Sequence, residues 1–152
     1  MSRFMGSDTS VIDAKGRINV PSRLRKGLDP SAADTFTIIR GLDGCVHMYP
    51  LDEWIRFSDG LQKMSKGDDV ARNVFLVLSE SAHETSIDGQ GRVSLTPRLM
   101  ELAGLDRSAK LVGAIDHIEV WAPERLDAQL KKATPDFEQQ MKEVLDRMLN
   151  GG

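Results

Sequence analysis

Val11-Ile12-Asp13-Ala14-Lys15-Gly16-Arg17-Ile18-Asn19-Val20 returns later in the chain as Ser86-Ile87-Asp88-Gly89-Gln90-Gly91-Arg92-Val93-Ser94-Leu95. Both copies read Ile-Asp-x-x-Gly-Arg, then an aliphatic, a polar and an aliphatic residue. Each runs on into Pro, Arg and Leu (Pro21-Ser22-Arg23-Leu24; Pro97-Arg98-Leu99) and then Gly-Leu-Asp (Gly27-Leu28-Asp29; Gly104-Leu105-Asp106). Further on, Phe36 to Gly41 with Val46 to Tyr49 parallels Lys110 to Gly113 with Ile118 to Trp121. Three matches in the same order are an internal duplication.

Local chemistry gives each copy its structure. Asp-x-x-Gly between aliphatic β-formers is a hairpin signal, the glycine taking positive φ at the turn. Ile18 and Val20 alternate with Arg17 and Asn19, as Val93 and Leu95 do with Arg92 and Ser94, so one strand face is buried and the other polar. Pro21, and Thr96-Pro97 with Thr96 as N-cap, start a short helix. Gly27 and Gly104 are expected to stop it, with Leu28 and Leu105 folding back on its last turn. A second hairpin closes each unit as β-β-α-β-β, and a helix follows near Leu51 or Pro123.

Fifty residues bury too little surface to stand alone. The expected fold class is therefore α+β: a pseudo-symmetric swapped-hairpin β-barrel from two β-β-α-β-β repeats with peripheral helices. The repeats fall at residues 8–54 and 82–126. A helical connector at 55–81, with Ala71 to Leu78 helical, separates them, and a helical tail at 127–152 follows. Pro123 to Asn150 reads as two helices broken at Thr134-Pro135. In the second, Phe137, Met141, Val144, Leu145 and Met148 form an amphipathic stripe facing either the body of the chain or a neighbouring copy.

Composition narrows the function. A net charge of −3 excludes a polybasic coat, so any contact with nucleic acid must come from a local patch. The sole cysteine, Cys45, permits no internal disulfide and fits a reducing compartment. Met1 to Ser10 has no apolar core of a secretory signal, and Val74 to Leu78 is too short to span a bilayer. The expected location is the cytoplasm.

The richest chemistry lies from Lys15 to Lys26, which holds five cations (Lys15, Arg17, Arg23, Arg25, Lys26) and no acid. A two-stranded ribbon enters a major groove, and arginine bonds a guanine edge in bidentate fashion. Arg17 is then the base reader, with Lys15, Arg23 and Arg25 on phosphates. Gln90, Arg92 and Arg98 hold the matching places in the second copy, Gln90 suiting either an adenine edge or a phosphate. Asp13, Gly16, Asp88 and Gly91 are turn formers, the aspartates bonding their own backbone and orienting Arg17 and Arg92. No catalytic constellation is expected. His47, His83 and His117 are scattered, and Cys45-x-His47 lacks the paired spacing of a zinc site, so neither metal nor cofactor is expected. Ser79, Ser81 and His83 sit in no nucleophile elbow, and no phosphate-cradling glycine loop is present. Trp54 and Trp121 read as packing anchors.

On these residues the chain resembles the MraZ family, bacterial regulators whose gene heads the division and cell-wall cluster. Each half is similar to a SpoVT-AbrB, or swapped-hairpin, DNA-binding domain. Val11 to Pro21, Met48-Tyr49-Pro50-Leu51-Asp52-Glu53-Trp54, and Asp88 to Arg92 with Ala103-Gly104-Leu105 carry the likeness, which spans all but the last fifteen or so residues. It implies a barrel of two swapped hairpins within one chain, ring-like homo-oligomers, and double-stranded DNA as partner, read at short direct repeats in the protein's own promoter. It also implies a nucleoid-associated repressor whose contact motif, Asp-x-x-x-Arg, falls on Asp13 with Arg17 and Asp88 with Arg92. Gln90 stands where lysine is frequent, Thr96 replaces the first proline, and Met100 takes a place where arginine is common. Those departures make the second DNA surface less cationic.

Two other classes compete. An AbrB-like antitoxin or protein-interaction module ordinarily carries one copy of the domain and a disordered tail, against two copies and a structured tail here. A hydrolase using Asp13 and Asp88 as paired carboxylates would need the two hairpin tips to converge within roughly 5–10 Å.

Overall fold

The computed structural model describes residues 1–151. The first half runs β1 (Ser7–Val11), β2 (Arg17–Asn19), α1 (Ser22–Arg25), a 3-10 turn (Pro30–Ala32), β3 (Thr35–Arg40) and β4 (Val46–Pro50). A helical hairpin follows, α2 (Leu51–Ser65) and α3 (Asp69–Ser81). The second half repeats the order as β5 (His83–Ser86), β6 (Arg92–Ser94), α4 (Pro97–Ala103), β7 (Ser108–Gly113) and β8 (Ile118–Trp121). Two tail helices close the chain, α5 (Pro123–Ala133) and α6 (Phe137–Leu149). The α+β class and the strand order of each half match the sequence reading.

The halves are interleaved. An antiparallel six-stranded sheet has the order β1-β7-β8-β4-β3-β5, and β2 pairs with β6 in a separate ribbon. Thus β1 joins the second half through β7, and β5 joins the first through β3. The expected closed barrel is not what the hydrogen bonds draw. Among the described residues, β1 and β5 remain the sheet's edges, and the ribbon stands apart. The reason is local. Where each hairpin would continue its ladder, a buried hydroxyl intervenes: Ser10 Oγ donates to the Asn19 carbonyl at 2.8 Å, and the Ser94 amide donates to Thr85 Oγ1 at 3.1 Å. Ser10 and Thr85 hold equivalent places in the duplication.

Alternation then builds the layers. Phe36, Ile38, Val46, Met48, Leu111, Ile118 and Val120 point to one sheet face and are fully buried. Ile18 and Val93 of the ribbon, with Leu24 of α1 and Leu99 of α4, complete that core. Burial of each large side chain contributes on the order of 1.5–3 kcal/mol. The opposite sheet face is covered by α2, α3 and α5. Trp121 is buried there with Cys45 and Leu126, and Trp54 packs by Tyr49 and Phe57, so both tryptophans are packing anchors.

One expectation about the helix ends needs correction. Gly104 does end α4 in the left-handed region, φ 62°, but α1 is already capped at Lys26 and Gly27 has no positive φ. Gly27 instead makes room for the N-terminal segment, since a Cβ there would lie 2.0 Å from the Arg3 carbonyl oxygen. That segment laces the halves together: the Arg3 amide donates to Gly27 and Phe4 pairs with Ile115, its ring buried near Phe36. Of the two surfaces expected to meet the stripe of α6, the body is not one, for no residue of that helix is buried.

Candidate nucleic-acid interface

The two Asp-x-x-Gly-Arg turns are built alike. In the first, the Asp13 amide donates to the Arg17 carbonyl and the Gly16 amide to Asp13, while Gly16 adopts φ 76°. One Asp13 oxygen accepts the Lys15 and Arg17 amides at 2.9 Å each, and the other accepts Arg17 Nε at 2.7 Å. In the second, Asp88 accepts the Gln90 and Arg92 amides at 2.9 Å and Arg92 Nε at 3.0 Å, with Gly91 at φ 80°. Both carboxyls lie below the ordinary carboxylate range, foremost because the backbone N–H of the paired arginine donates to them. Carboxylates spent on their own turn and held ionised are poor general acids, which works against the paired-carboxylate hydrolase.

The turns also embrace one another. Gly91 accepts the Val20 amide and Gly16 accepts the Leu95 amide, both at 2.8 Å, as a pseudo-twofold arrangement requires. Along the ribbon Arg17 faces Ser94, Ile18 faces Val93 and Asn19 faces Arg92. With Ile18 and Val93 in the core, Arg17, Asn19, Arg92 and Ser94 share the outward face. Arg92 Nη1 also comes within 3.8 Å of Asp13, so one aspartate touches both arginines. Asn19 and Ser94 were left out of the sequence-derived set, although their two-residue spacing from Arg17 and Arg92 marked the face.

The remaining sequence-predicted contact residues differ in their surroundings. Lys15 and Gln90 are exposed at the two turn tips. Arg25 donates from Nε to the Val20 carbonyl and lies against the opposite turn, its guanidinium 3.0 Å from where a Gly91 Cβ would be. Met100 holds the equivalent place against Gly16, its sulfur 3.3 Å from a Cβ there. The exchange of hairpins therefore sets Arg25 of the first half against Gly91 in the turn of the second, offsetting the charge missing from the second copy. Arg23 pairs with Asp8 at 3.4 Å, and Arg98 pairs with Glu80, so each carries a neutralising neighbour.

A second cluster lies on the helix-covered face. There the fold brings Cys45, His47 and Glu119 together, with His117 beside them, although the sequence spacing gave no sign of it.

The family whose description reads "MraZ protein, putative antitoxin-like" matches residues 3–76 and 78–148. The chain belongs to the MraZ family. The match takes in most of α6, further than the motifs alone carried the resemblance. Among MraZ relatives, the protein of Limosilactobacillus fermentum is 38% identical over 136 residues, covering 90% of this chain and 92% of its own. Those of Desulforamulus reducens and Natranaerobius thermophilus are 35% and 33% identical over 143 residues, 94% of this chain and at least 97% of theirs. All three are named transcriptional regulator MraZ. Among the described residues, no helix is long and apolar enough to cross a membrane.

Proposed function

We propose that this MraZ-family chain is a sequence-specific, double-stranded-DNA-binding regulator, a cytoplasmic, nucleoid-associated repressor and not an enzyme. It reads short direct repeats in its own promoter, ahead of the division and cell-wall genes. The observation that carries the reading is the outward ribbon face, where Arg17 and Arg92 stand together, each fixed by the aspartate of its own turn. A fixed guanidinium loses little freedom on docking and presents its fork to a guanine edge in the major groove. Lys15, Arg23, Arg25 and Arg98 serve as phosphate contacts, Gln90 as a base or phosphate contact, and the interleaved halves act as one swapped-hairpin unit.

One acidic chain with so few phosphate contacts binds weakly and loses affinity quickly with salt. Tight binding follows when a closed, ring-like homo-oligomer presents several ribbons in the same sense to successive direct repeats, which raises apparent affinity by roughly 10²–10⁴ without new contacts. The exposed stripe of α6 is the surface available for that assembly.

Fluorescence anisotropy tests the reading with DNA carrying one, two or three repeats, and with spacers changed by half a helical turn. Affinity should climb with repeat number and fall with the half-turn spacer. Arg17→Ala should remove the preference for operator over scrambled DNA. Equal affinity of Arg17→Ala and the parent for operator, with the fold intact by circular dichroism, refutes it.

A further inference from the structure

We propose that Cys45, His47 and Glu119 bind a first-row transition dication of zinc's class, with His117 as a flanking ligand. The site pins the first half of the sheet to the second.

The placement follows from strand geometry. Residues two apart in extended chain share a face, so Cys45, immediately before β4, projects with His47, and His117, immediately before β8, projects with Glu119. The strands are antiparallel neighbours with His47 directly opposite Glu119. Spacing too poor for a site within one strand becomes adequate when the register supplies the other pair. One ligand atom from each of Cys45, His47 and Glu119 lies within 4.8 Å of the other two. His47 Nε2 is 3.6 Å from Glu119 Oε2, and His117 Nε2 is 3.2 Å from the same oxygen. Tetrahedral zinc, with bonds of about 2.0–2.3 Å, needs ligand atoms about 3.3–3.6 Å apart. The nitrogens already meet that edge length, and the sulfur needs a modest approach.

The surroundings orient each donor. Trp121 Nε1 donates to Glu119 Oε1 at 3.0 Å, leaving Oε2 to face the imidazoles. Asp116 Oδ1 holds His117 Nδ1 at 2.7 Å, leaving Nε2 as the inward nitrogen, the carboxylate–histidine pairing that accompanies metal ligation. Gly41 gives the His47 ring its place, since a Cβ there would lie 2.5 Å from Cδ2. Cys45 is buried, and the side chains of His47, His117 and Glu119 are 14%, 13% and 26% exposed, sheltered yet reachable. A sulfur, nitrogen and oxygen donor set suits a borderline-soft dication rather than magnesium or calcium. Without metal the Cys45 thiol donates to the Leu42 carbonyl, and burial pushes its pKa up to about 12. Metal uptake forms the metal–sulfur bond and releases that proton to solvent.

The test uses the reduced, full-length protein after chelator treatment, titrated with cobalt(II) and with zinc. Expected are one cobalt per chain, a thiolate-to-cobalt charge-transfer band, the intense visible bands of tetrahedral coordination, and their quenching by zinc. Cys45→Ser should lose the charge-transfer band, Glu119→Gln should weaken zinc by more than tenfold, and His83→Gln should change nothing. Trp121→Phe, which removes the orienting donor while keeping an aromatic ring in the core, should weaken zinc roughly 10–100-fold with the fold retained. Zinc should also raise the melting temperature of the parent and not of Glu119→Gln. Failure of the parent to bind either metal overturns the proposal. So does unchanged zinc affinity in a folded Cys45→Ser or, should that variant not fold, in Glu119→Gln.

Discussion

Replacing Asp13 by alanine separates two accounts of the ribbon. If the carboxylate merely repels phosphate, its removal tightens binding to every DNA. If it holds the arginines in a reading posture, operator binding weakens while scrambled DNA is held at least as well. The structure sets the size of the effect. Asp13 is 2.7 Å from Arg17 Nε and 3.8 Å from Arg92 Nη1, whereas among the described residues Asp88 pairs with Arg92 alone, at 3.0 Å. A base-edge contact is worth ~1–3 kcal/mol, or roughly 5- to 150-fold in affinity. Asp13→Ala should therefore cost the operator between one and two such contacts, and Asp88→Ala at most one. A freed Arg17 becomes a phosphate contact, so the salt dependence on scrambled DNA should steepen by up to about 0.9 in log–log slope. Asp13→Asn controls for the turn, because its carbonyl can still accept the Lys15 and Arg17 amides. Anisotropy titrations with both DNAs over a range of salt read all of these. Tightening on operator and scrambled DNA alike, or a greater loss in Asp88→Ala than in Asp13→Ala, would refute the reasoning.

Gly27→Ala should destabilise the protein by ~1–3 kcal/mol, because its methyl collides with the Arg3 backbone that laces the halves. Gly60→Ala, in α2 with nothing within 4 Å, should stabilise it by up to ~1 kcal/mol, and urea midpoints compare the two. The lowered Asp13 and Asp88 values mean that their contribution to stability is complete above the ordinary aspartate value of 3.8 and is lost as pH falls through the folded values. Carbon-13 titration of the two carboxyls should place both below 3.8; either one titrating at or above it contradicts the turn geometry.

The duplicated motif made much of this legible. Asp-x-x-Gly-Arg specifies its turn through local bonds, so the turn glycines and the Asp–Arg pairings could be anticipated from residues four apart, and α4 through its Thr96 cap. The Leu51 and Pro123 helix starts likewise came from local signals. What escaped depends on distant partners. Nothing in the composition of β1 says that it will join β7, or that Ser10 and Thr85 will interrupt the hairpin ladders and leave the sheet open. Phe4 gives no periodic signal, since it lies in a short segment without alternation, yet it is buried by residues from both halves. Gly27 reads as a helix stop by analogy with Gly104, but the N-terminal segment lies against the first Gly-Leu-Asp and not the second. Cys45 and Glu119 meet through a cross-strand register that spacing along the chain does not encode.

The exchange of edge strands also governs how the molecule can be made. Val11 must find Ser108, and Ser7 must find Val112. At about 5–20 residues per second, the ribosome takes roughly 5–20 seconds to add the hundred or so residues that separate these partners. For much of that interval β3 lacks β5, and β4 lacks β8 to its end, so the growing chain offers unsatisfied strand edges to its surroundings. The first half therefore cannot complete itself during synthesis. Neighbouring ribosomes on one message would hold many such waiting edges close together, and a holdase acting on the nascent chain would find its substrate there.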